Sequence, residues 1–391
     1  MTRRSSVAIV KGPISPTDAD TDKMVREAVG LADGLNGIVR PRATIIIKPN
    51  LVAPATPDKG ATTDRRVCKS LADQVRELGA KPIIAESSCI GVDTEDAIRA
   101  SKYDELREQG YEVVNLKTCP LITVPVPKGK VVSELRLPQI VMEADAIISV
   151  PKLKTHDQAP ATLAMKNMKG VLPDILKKKF HTTYGVFQAV ADLNTVVPPA
   201  FSVVDGIIGQ EGFGPVFGTP IELDLIIAGR NPVAVDTIAG VVVGIEPTSM
   251  EITMRAAELE IGTMDPGQID VVGKPVEEVK HRFKLESEAL AEELHFPDGF
   301  ELMFNEKACT GCRNRVLSSL KDLADLGQME TAEDLRIIVG GTDSPPLPCP
   351  SKRTLLVGAC TARWKASGEF VAGCPPNNTD IIAAITRNPG S

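Results

Sequence analysis

Short apolar runs alternate with longer amphipathic segments over the first 275 residues of the chain. Runs rich in Val and Ile predict strands, and apolar residues spaced three or four positions apart predict the helices between them. This order is typical of βαβ units, so we expect a mainly parallel sheet flanked by helices. The predicted strands are Val7–Lys11, Thr44–Lys48, Lys81–Ala85, Glu112–Leu116, Ala146–Val150, Phe201–Val204, Leu223–Ala228 and Gln268–Val272, and the predicted helices are Thr21–Leu35, Arg65–Leu78 and Asn231–Val243.

The pattern changes near position 275, where a charged, helix-prone segment replaces the apolar strands. Beyond this segment we predict a helix at Asn314–Leu326, strands at Leu335–Val339 and Thr354–Val357, and a last helix after Pro376. A chain of 391 residues is long enough for two cores. The sequence therefore predicts an α/β domain over residues 1–275 and a smaller α/β domain over residues 276–391.

The overall charge narrows the function classes. A formal charge of -7 argues against broad nucleic-acid binding, which needs a basic face to neutralise phosphates. No apolar signal segment follows Met1, and no run reaches the length that a membrane span requires. We expect a cytoplasmic protein that does not bind membranes, in which any anion site is local.

Five of the eight cysteines fall between positions 309 and 374. Thiols stay reduced in the cytosol, so metal binding explains this clustering better than disulfides do. The Cys309-Thr-Gly-Cys312 turn can direct two thiolates at one metal site, and two distant cysteines can complete the sulfur ligation. We predict an iron-sulfur cluster, of the 4Fe-4S type, held by Cys309, Cys312, Cys360 and Cys374, with Cys349 as the alternate to Cys360.

Two other interpretations of these cysteines remain open. Structural zinc uses the same ligand number and the same C-x-x-C geometry, and unrelated core or redox thiols are the third choice. The ligand count would also decide the role of an iron cluster. Four cysteines favour electron transfer, whereas three would leave one iron open to act as a Lewis acid.

Polar residues follow two predicted strands of the first domain. Lys48 and Asn50 come directly after one strand, and the segment Ser149-Val-Pro-Lys-Leu-Lys-Thr-His156 follows another. Ligands of open α/β sheets bind at the carboxyl ends of strands. Farther on, Thr162, Lys166 and Lys169 have helical spacing that would place them on one face, beside Asn167.

This mixture of Lys, His, Asn and Thr predicts a site for a small anion, although a solvated basic face would give the same charge run. The lysines could clamp a carboxylate or phosphate, or act as general acids or nucleophiles if burial lowered their pKa. No dinucleotide or P-loop fingerprint is present. The catalytic candidates are Lys152, Lys154, His156 and Asp205, and the anion-binding candidates are Lys48, Asn50, Thr162, Lys166, Asn167, Lys169 and Glu211 in its Gly-rich loop.

The same residues resemble the domain of unknown function 362 family, through Ile46-Ile-Lys-Pro-Asn-Leu-Val, Lys152-Leu-Lys-Thr-His, Lys166-Asn-Met-Lys-Gly and Val204-Asp-Gly. The similarity runs from about residue 5 to residue 275. It implies an α/β fold that is often joined to iron-sulfur modules. Separately, Gly373-Cys-Pro-Pro376 resembles the cluster-binding loop of hydrogenase small subunits, which implies that Cys374 is a ligand.

We therefore expect an enzyme that performs redox or cluster-assisted lyase chemistry on a small anionic substrate. The alternative is a non-catalytic electron-transfer or scaffold protein with a structural cluster or structural zinc. A redox partner protein and a homo-oligomer are both compatible with the sequence. It does not identify the electron partner or fix the oligomeric state.

Overall fold

The computed structural model describes residues 4–157, 159–305, 307–344, 346–347 and 349–387. Its contacts divide the chain into two compact units. The first unit comprises residues 1–180 and 186–285, and the second comprises residues 181–185 and 286–391. Within the described residues, no helix is both long and apolar enough to cross a membrane.

The first unit alternates strands and helices along the chain. Its strands are β1 Ser5–Lys11, β2 Thr44–Lys48, β3 Lys81–Glu86, β4 Glu112–Asn115, β5 Leu121–Pro125, β6 Glu134–Pro138, β7 Ala146–Ser149, β8 Lys152–His156, β9 Ala159–Thr162, β10 Phe201–Glu211, β11 Thr219–Gly229 and β12 Ile269–Gly273. Its helices are α1 Asp18–Leu31, α2 Arg65–Glu77, α3 Thr94–Ala100, α4 Asp104–Glu108, α5 Gln139–Met142, α6 Ala164–Asn167, α7 Asp174–Thr182, α8 Val186–Asn194, α9 Pro232–Val242, α10 Glu251–Glu258 and α11 Val276–Val279.

Most of these strands form one sheet, in the order β12-β1-β11-β10-β7-β2-β3-β4. The run from β10 through β7, β2 and β3 to β4 is parallel, whereas β11 is antiparallel to both of its neighbours. Strand β10 is longer than β7, and it pairs first with β7 and then with β8. Strand β9 pairs with β8, so β8 and β9 continue the sheet past the end of β7. The sheet therefore gathers the carboxyl ends of β2, β3 and β7 at one edge.

Both faces of the sheet are buried. Along β1, Ala8 and Val10 pack into one hydrophobic cluster, and Val7 and Ile9 pack into the other. Successive side chains of a strand point to opposite faces, so this split shows helices covering each side. Helix α2 begins where the Asp64 carboxylate caps the N–H of Arg66.

The second unit contains a smaller parallel sheet, in the order β13-β14-β15-β16. Its strands are β13 Glu301–Phe304, β14 Leu335–Val339, β15 Arg353–Val357 and β16 Glu369–Val371. Its helices are α12 Glu286–Glu293, α13 Thr310–Asp325 and α14 Asn378–Thr386, with a 3₁₀ segment at Ala359–Ser367.

The predicted fold class is confirmed, since a large, mostly parallel sheet flanked by helices forms the first unit. Each predicted strand of this unit is present, and all but β10 lie within a few residues of their predicted bounds. Differences arise where polar residues interrupt the apolar runs. Strand β10 extends to Glu211 instead of ending at Val204, and the pairs β5–β6 and β8–β9 were not predicted.

Candidate functional site

A buried ion pair joins the ends of two neighbouring parallel strands. Lys48 closes β2 and Glu86 closes β3, and Lys48 Nζ lies 3.0 Å from both Glu86 carboxylate oxygens. The carboxylate also accepts the N–H groups of Leu51 and Ser87, at 2.9 and 2.7 Å. Burial lowers the pKa of Lys48, and Glu86 opposes this effect.

Backbone and amide groups enclose this pair. Asn167 donates to the Lys48 carbonyl at 2.9 Å, and its own Oδ1 accepts from Asn50 Nδ2 at 3.2 Å. A Cβ atom on Gly170 would overlap Glu86 Oε1 and lie 2.5 Å from Lys48 Nζ. Only a glycine fits at this point, because the backbone passes directly over the ion pair.

Strand β8 carries its basic side chains at alternate positions. Lys152, Lys154 and His156 alternate with Leu153 and Thr155, and all five residues are buried. Lys152 Nζ lies 2.9 Å from Asp205 Oδ2, which also accepts the N–H of Asp64 at 2.7 Å. Lys152 and Asp205 thus form a second buried ion pair, beside the register position where β8 meets β10.

Neutral oxygens surround the amine of Lys154. It donates to Asn50 Oδ1 and to the Pro215 carbonyl, both at 2.9 Å, and to the Ala61 carbonyl. Burial lowers the pKa of Lys154 well below its ordinary value, and the nearby charges of Lys166 and Lys152 lower it further. A bound anion would stabilise the protonated form of this amine, for which the described residues provide no carboxylate partner.

His156 and the next residue form a buried pair, in which His156 Nδ1 and Asp157 Oδ1 are 2.5 Å apart. Burial and the charge of Lys166 lower the pKa of His156 to about 3, so the imidazole is neutral at neutral pH. Burial and Lys169 lower the pKa of Lys166 to about 7. Lys166 can therefore gain or lose a proton near neutral pH, whereas His156 stays neutral there.

The expected helical face of Thr162, Lys166 and Lys169 is corrected by the structure. Thr162 closes β9, Lys166 lies in α6, and Lys169 lies in the 3₁₀ turn Met168–Val171. The turn between strand and helix breaks the regular spacing. Thr162 instead lies opposite Lys154 in the β8–β9 register.

Glu211, predicted to lie in an anion-binding loop, is the last residue of β10. Its carboxylate accepts the N–H of Lys284 at 2.8 Å, so one of its oxygens is engaged by backbone. Glu211 therefore contacts the backbone of Lys284 and lies in a strand instead of an anion-binding loop. The other anion-binding candidates of this unit lie at or beside the carboxyl edge of the main sheet.

We call Lys48, Lys152, Lys154, Lys166, Lys169 and Lys177 the lysine cluster. Three of its amines are paired with carboxylates, Lys48 with Glu86, Lys152 with Asp205 and Lys177 with Asp174. Lys154 has neutral acceptors, and for Lys166 the described residues provide no hydrogen-bond or ion-pair partner. The lysine cluster therefore contains more amines than paired carboxylates.

The second unit gathers cysteines at the carboxyl edge of its own sheet. Cys309 follows β13 and occupies the N-cap position of α13, Cys360 follows β15, and Cys374 follows β16. The loops are joined, because Gly358 N donates to the Val371 carbonyl and Ala359 N to the Gly373 carbonyl. A Cβ atom on Gly358 would lie 2.8 Å from Cys312 Sγ.

The cysteine thiols also influence one another. The hydrogen bond with Cys309 and then burial raise the pKa of Cys312, and the charges of Cys309, Cys360 and Cys374 add to this rise. We call these four residues the cysteine cluster. Within the described parts of the chain, however, no three His, Cys, Asp or Glu side chains are arranged to hold one metal ion.

Cys349, the alternate ligand, lies toward the opposite edge of the second sheet. Its carbonyl accepts the N–H of Lys352, one residue before β15 begins, and its thiol lies 3.5 Å from Ser351 Oγ. Parallel strands separate their amino and carboxyl edges by the length of the strand. The cysteine cluster therefore contains Cys360 and leaves Cys349 out.

Comparison with known proteins assigns the chain to a family. A family profile described as a domain of unknown function (DUF362) matches residues 45–240, half of the chain. This chain belongs to the DUF362 family. The match begins in β2 and ends in α9, so it includes every member of the lysine cluster and none of the cysteine cluster.

This DUF362 chain was also compared with individual proteins. It is 28% identical over 239 residues to the thylakoid-associated protein sll1697 of Synechocystis sp., with 58% of this chain and 70% of the relative covered. The lactate racemase apoprotein of Thermoanaerobacterium thermosaccharolyticum has a TM-score of 0.40 and 12% identity, over 87% of this chain and 70% of that one. Cytoplasmic location stays a prediction, because the relative is named for thylakoids.

Several buried residues of the DUF362 site were not predicted. Lys177 donates to the Ser87 carbonyl at 2.7 Å, to Ser87 Oγ at 2.6 Å and to the Ser88 carbonyl at 2.6 Å. Glu86 and Asp157 supply buried carboxylates. Two signals were available: Glu86 ends an apolar run, and Asp157 directly follows the polar segment that ends at His156.

We expect the stability of this DUF362 protein to rise with pH above neutrality. Burial lowers the pKa of Lys166 and Lys177 from 10.5 to about 7, so in this window the unfolded chain binds more protons than the folded chain. Each lysine then adds up to about 1.4 kcal/mol of unfolding free energy per pH unit, and this is lost as the pH falls toward 7.

Urea unfolding at several pH values measures this slope. Lys166→Met should remove the share of one lysine, whereas Lys179→Met, at an exposed position of α7, should leave the slope unchanged. The electrostatic partners of Lys166 are Lys169, Asp157 and Cys89. If the slope for Lys166→Met equals that of the wild type, burial does not lower the pKa of Lys166.

Proposed function

We propose that this chain is an enzyme that binds a small anion, a carboxylate or a phosphorylated compound, at the lysine cluster. The observation that carries the proposal is the excess of buried amines over their carboxylate partners at the carboxyl edge of the sheet. Carboxylates pair with Lys48, Lys152 and Lys177, whereas the described residues provide none for Lys154 and Lys166. A bound anion would supply the missing negative charge and stabilise the protonated form of these two amines.

Neighbouring groups support a chemical role for the site. The Thr162 hydroxyl lies opposite Lys154 and is buried, and the described residues provide no hydrogen-bond partner for its oxygen. It is available to donate to a bound anion. The His156–Asp157 pair adds an imidazole that is neutral at neutral pH. The nearby Lys166 amine, whose pKa burial and Lys169 lower to about 7, is suited to proton transfer.

The test is isothermal titration with oxalate and, separately, with inorganic phosphate. Lys166→Met should weaken the binding of the preferred anion about tenfold, since a charge-assisted hydrogen bond contributes about 1.5–3 kcal/mol. This variant leaves no buried acceptor unsatisfied, because Lys166 has no acceptor among the described residues.

Lys179→Met is the matched control and should bind as the wild type does, because Lys179 is exposed. A wild-type protein that binds neither anion would remove the proposal. Equal affinity of the wild type and Lys166→Met would also remove it. Preference for oxalate or for phosphate decides between a carboxylate and a phosphorylated substrate.

We also propose that the cysteine cluster holds a 4Fe-4S cluster. The proposal is supported by four thiols at one edge of a small sheet and by the Cys309–Cys312 turn, where helix α13 begins. Bound there, such a cluster would supply electron transfer. The protein contributes the glycine-rich loops at Gly358 and Gly373, where positive φ angles let the backbone turn beside the thiols.

A further inference from the structure

The amino edge of the main sheet contains a cavity of about 520 Å³. Three alanines line it at the starts of neighbouring strands: Ala43 directly before β2, Ala146 at the start of β7, and Ala200 directly before β10. Their small side chains leave this space unfilled. Cavities of roughly 300–1,000 Å³ are typical of sites for small molecules.

This cavity is separate from the lysine cluster. It reaches Ala43, next to the first residue of β2, whereas Lys48 is the last residue of the same strand. Each residue of a strand rises about 3.3 Å, so about 13 Å of strand separates Thr44 from Lys48. The cavity and the lysine cluster therefore lie at opposite edges of the sheet.

Charged residues of both signs line the cavity. Arg40 and Arg42 are exposed, and the described residues provide neither side chain with a hydrogen-bond or ion-pair partner. Asp145 also lines the cavity, and its Oδ2 accepts the N–H of Thr44 at 2.8 Å. The lining therefore contains two guanidinium groups, which can each bind a phosphate through two parallel hydrogen bonds, and one carboxylate.

The loop that carries the two arginines is held in place by its neighbours. Arg230 Nη2 donates to three carbonyls between positions 33 and 36, at 2.8–3.0 Å, and Val39 is buried in the main hydrophobic cluster. The N–H of Arg42 donates to the Gly79 carbonyl at 2.8 Å. A loop that is already ordered loses little entropy when a ligand binds.

We propose that this cavity binds a phosphorylated sugar, either free or as part of a nucleotide. Arg40 and Arg42 bind the phosphate group, which carries nearly two negative charges at neutral pH and three acceptor oxygens. Asp145 accepts from a sugar hydroxyl group. The cavity is much larger than a phosphate ion, so it has room for the organic part of the ligand beside Ile38 and Pro41.

Isothermal titration with ribose 5-phosphate and with AMP tests this site, and ribose and adenosine are the matched ligands without phosphate. The wild type should bind at least one of the two phosphorylated ligands, and at least about tenfold more tightly than its unphosphorylated counterpart. Equal affinity for ribose 5-phosphate and AMP indicates a sugar phosphate, and tighter binding of AMP indicates a nucleotide.

Arg40→Met and Arg42→Gly should each weaken this binding at least about tenfold, because each removes one guanidinium group. Arg42 has a φ of 69°, a conformation that glycine adopts without strain. The urea midpoint of Arg42→Gly should therefore not fall below that of the wild type, so weaker binding by this variant does not reflect unfolding.

Lys102→Gly is the matched control. Lys102 is also an exposed cation with a positive φ, 61°, but it follows α3 and does not line the cavity. This variant should bind as the wild type does. The proposal is overturned if neither phosphorylated ligand binds the wild type, or if both arginine variants bind as Lys102→Gly does. Binding that Lys166→Met loses and both arginine variants keep would place the ligand at the lysine cluster, and also overturns the proposal.

Discussion

Replacing Glu86 by Gln is expected to lower the free energy of unfolding by about 3–5 kcal/mol. Glu86 is 3% exposed, and its carboxylate accepts from Lys48 and from two backbone N–H groups. The amide of Gln is neutral, and one of its two ends is a donor that cannot accept an N–H. The variant therefore leaves the Lys48 ammonium buried without its counter-charge.

Urea unfolding of Glu86→Gln and Glu112→Gln provides the measurement and its control. Glu112 pairs with Lys81 at 2.8 Å near the opposite edge of the same sheet, where both side chains are well exposed. Exposed pairs contribute at most about 1 kcal/mol. A loss no larger for Glu86→Gln than for Glu112→Gln would contradict a tightly coupled buried pair.

The cost of Glu86→Gln should also depend on pH. Burial lowers the pKa of Lys48, and removal of Glu86 takes away the main opposing charge. Lys48 in the variant should then lose its proton more readily, and a neutral amine is cheaper to bury. The loss of stability should be smaller at alkaline pH than at neutral pH.

Cys312→Ala is expected to abolish bound iron and the visible absorbance of anaerobically purified protein, because a 4Fe-4S cluster rarely survives the loss of a buried thiolate ligand. Cys312 is 1% exposed, and its thiol is hydrogen-bonded to Cys309. Gly358→Ala should lower the iron content as well, since its Cβ would lie 2.8 Å from Cys312 Sγ at a φ of 99°.

Cys349→Ala is the matched control and should retain full iron content, because Cys349 lies toward the other edge of the small sheet. Iron and sulfide analysis on all three variants makes the comparison. Zinc in place of iron in the wild type, or iron lost with Cys349 and kept without Cys312, would contradict the assignment of ligands.

Apolar runs carried most of the fold prediction, and the failures have a common physical origin. Strand β2 reads as Thr-Ile-Ile-Ile-Lys and was predicted at its observed bounds. Strand β8 reads as Lys-Leu-Lys-Thr-His, an alternation that a solvated edge strand shares. Its polar face is buried against β10 and other polar groups, a fact that depends on tertiary pairing.

The candidate site shows the same limit. Lys48, Asn50 and Asn167 were predicted, and the structure joins them in one hydrogen-bond network although more than a hundred residues separate Asn167 from the other two. The sequence indicated the amines because they interrupt apolar segments. It did not indicate which carboxylates pair with them, because Glu86 and Asp205 reach the site from different strands.

Gly170 limits how the Lys48–Glu86 ion pair can change among members of the family. A side chain at position 170 would occupy the space of the Glu86 oxygen and the Lys48 amine. A relative that replaces this glycine therefore has to shorten or lose one of the two charged residues. Positions 48, 86 and 170 should change together, so this triplet can distinguish members that keep the site from members that have abandoned it.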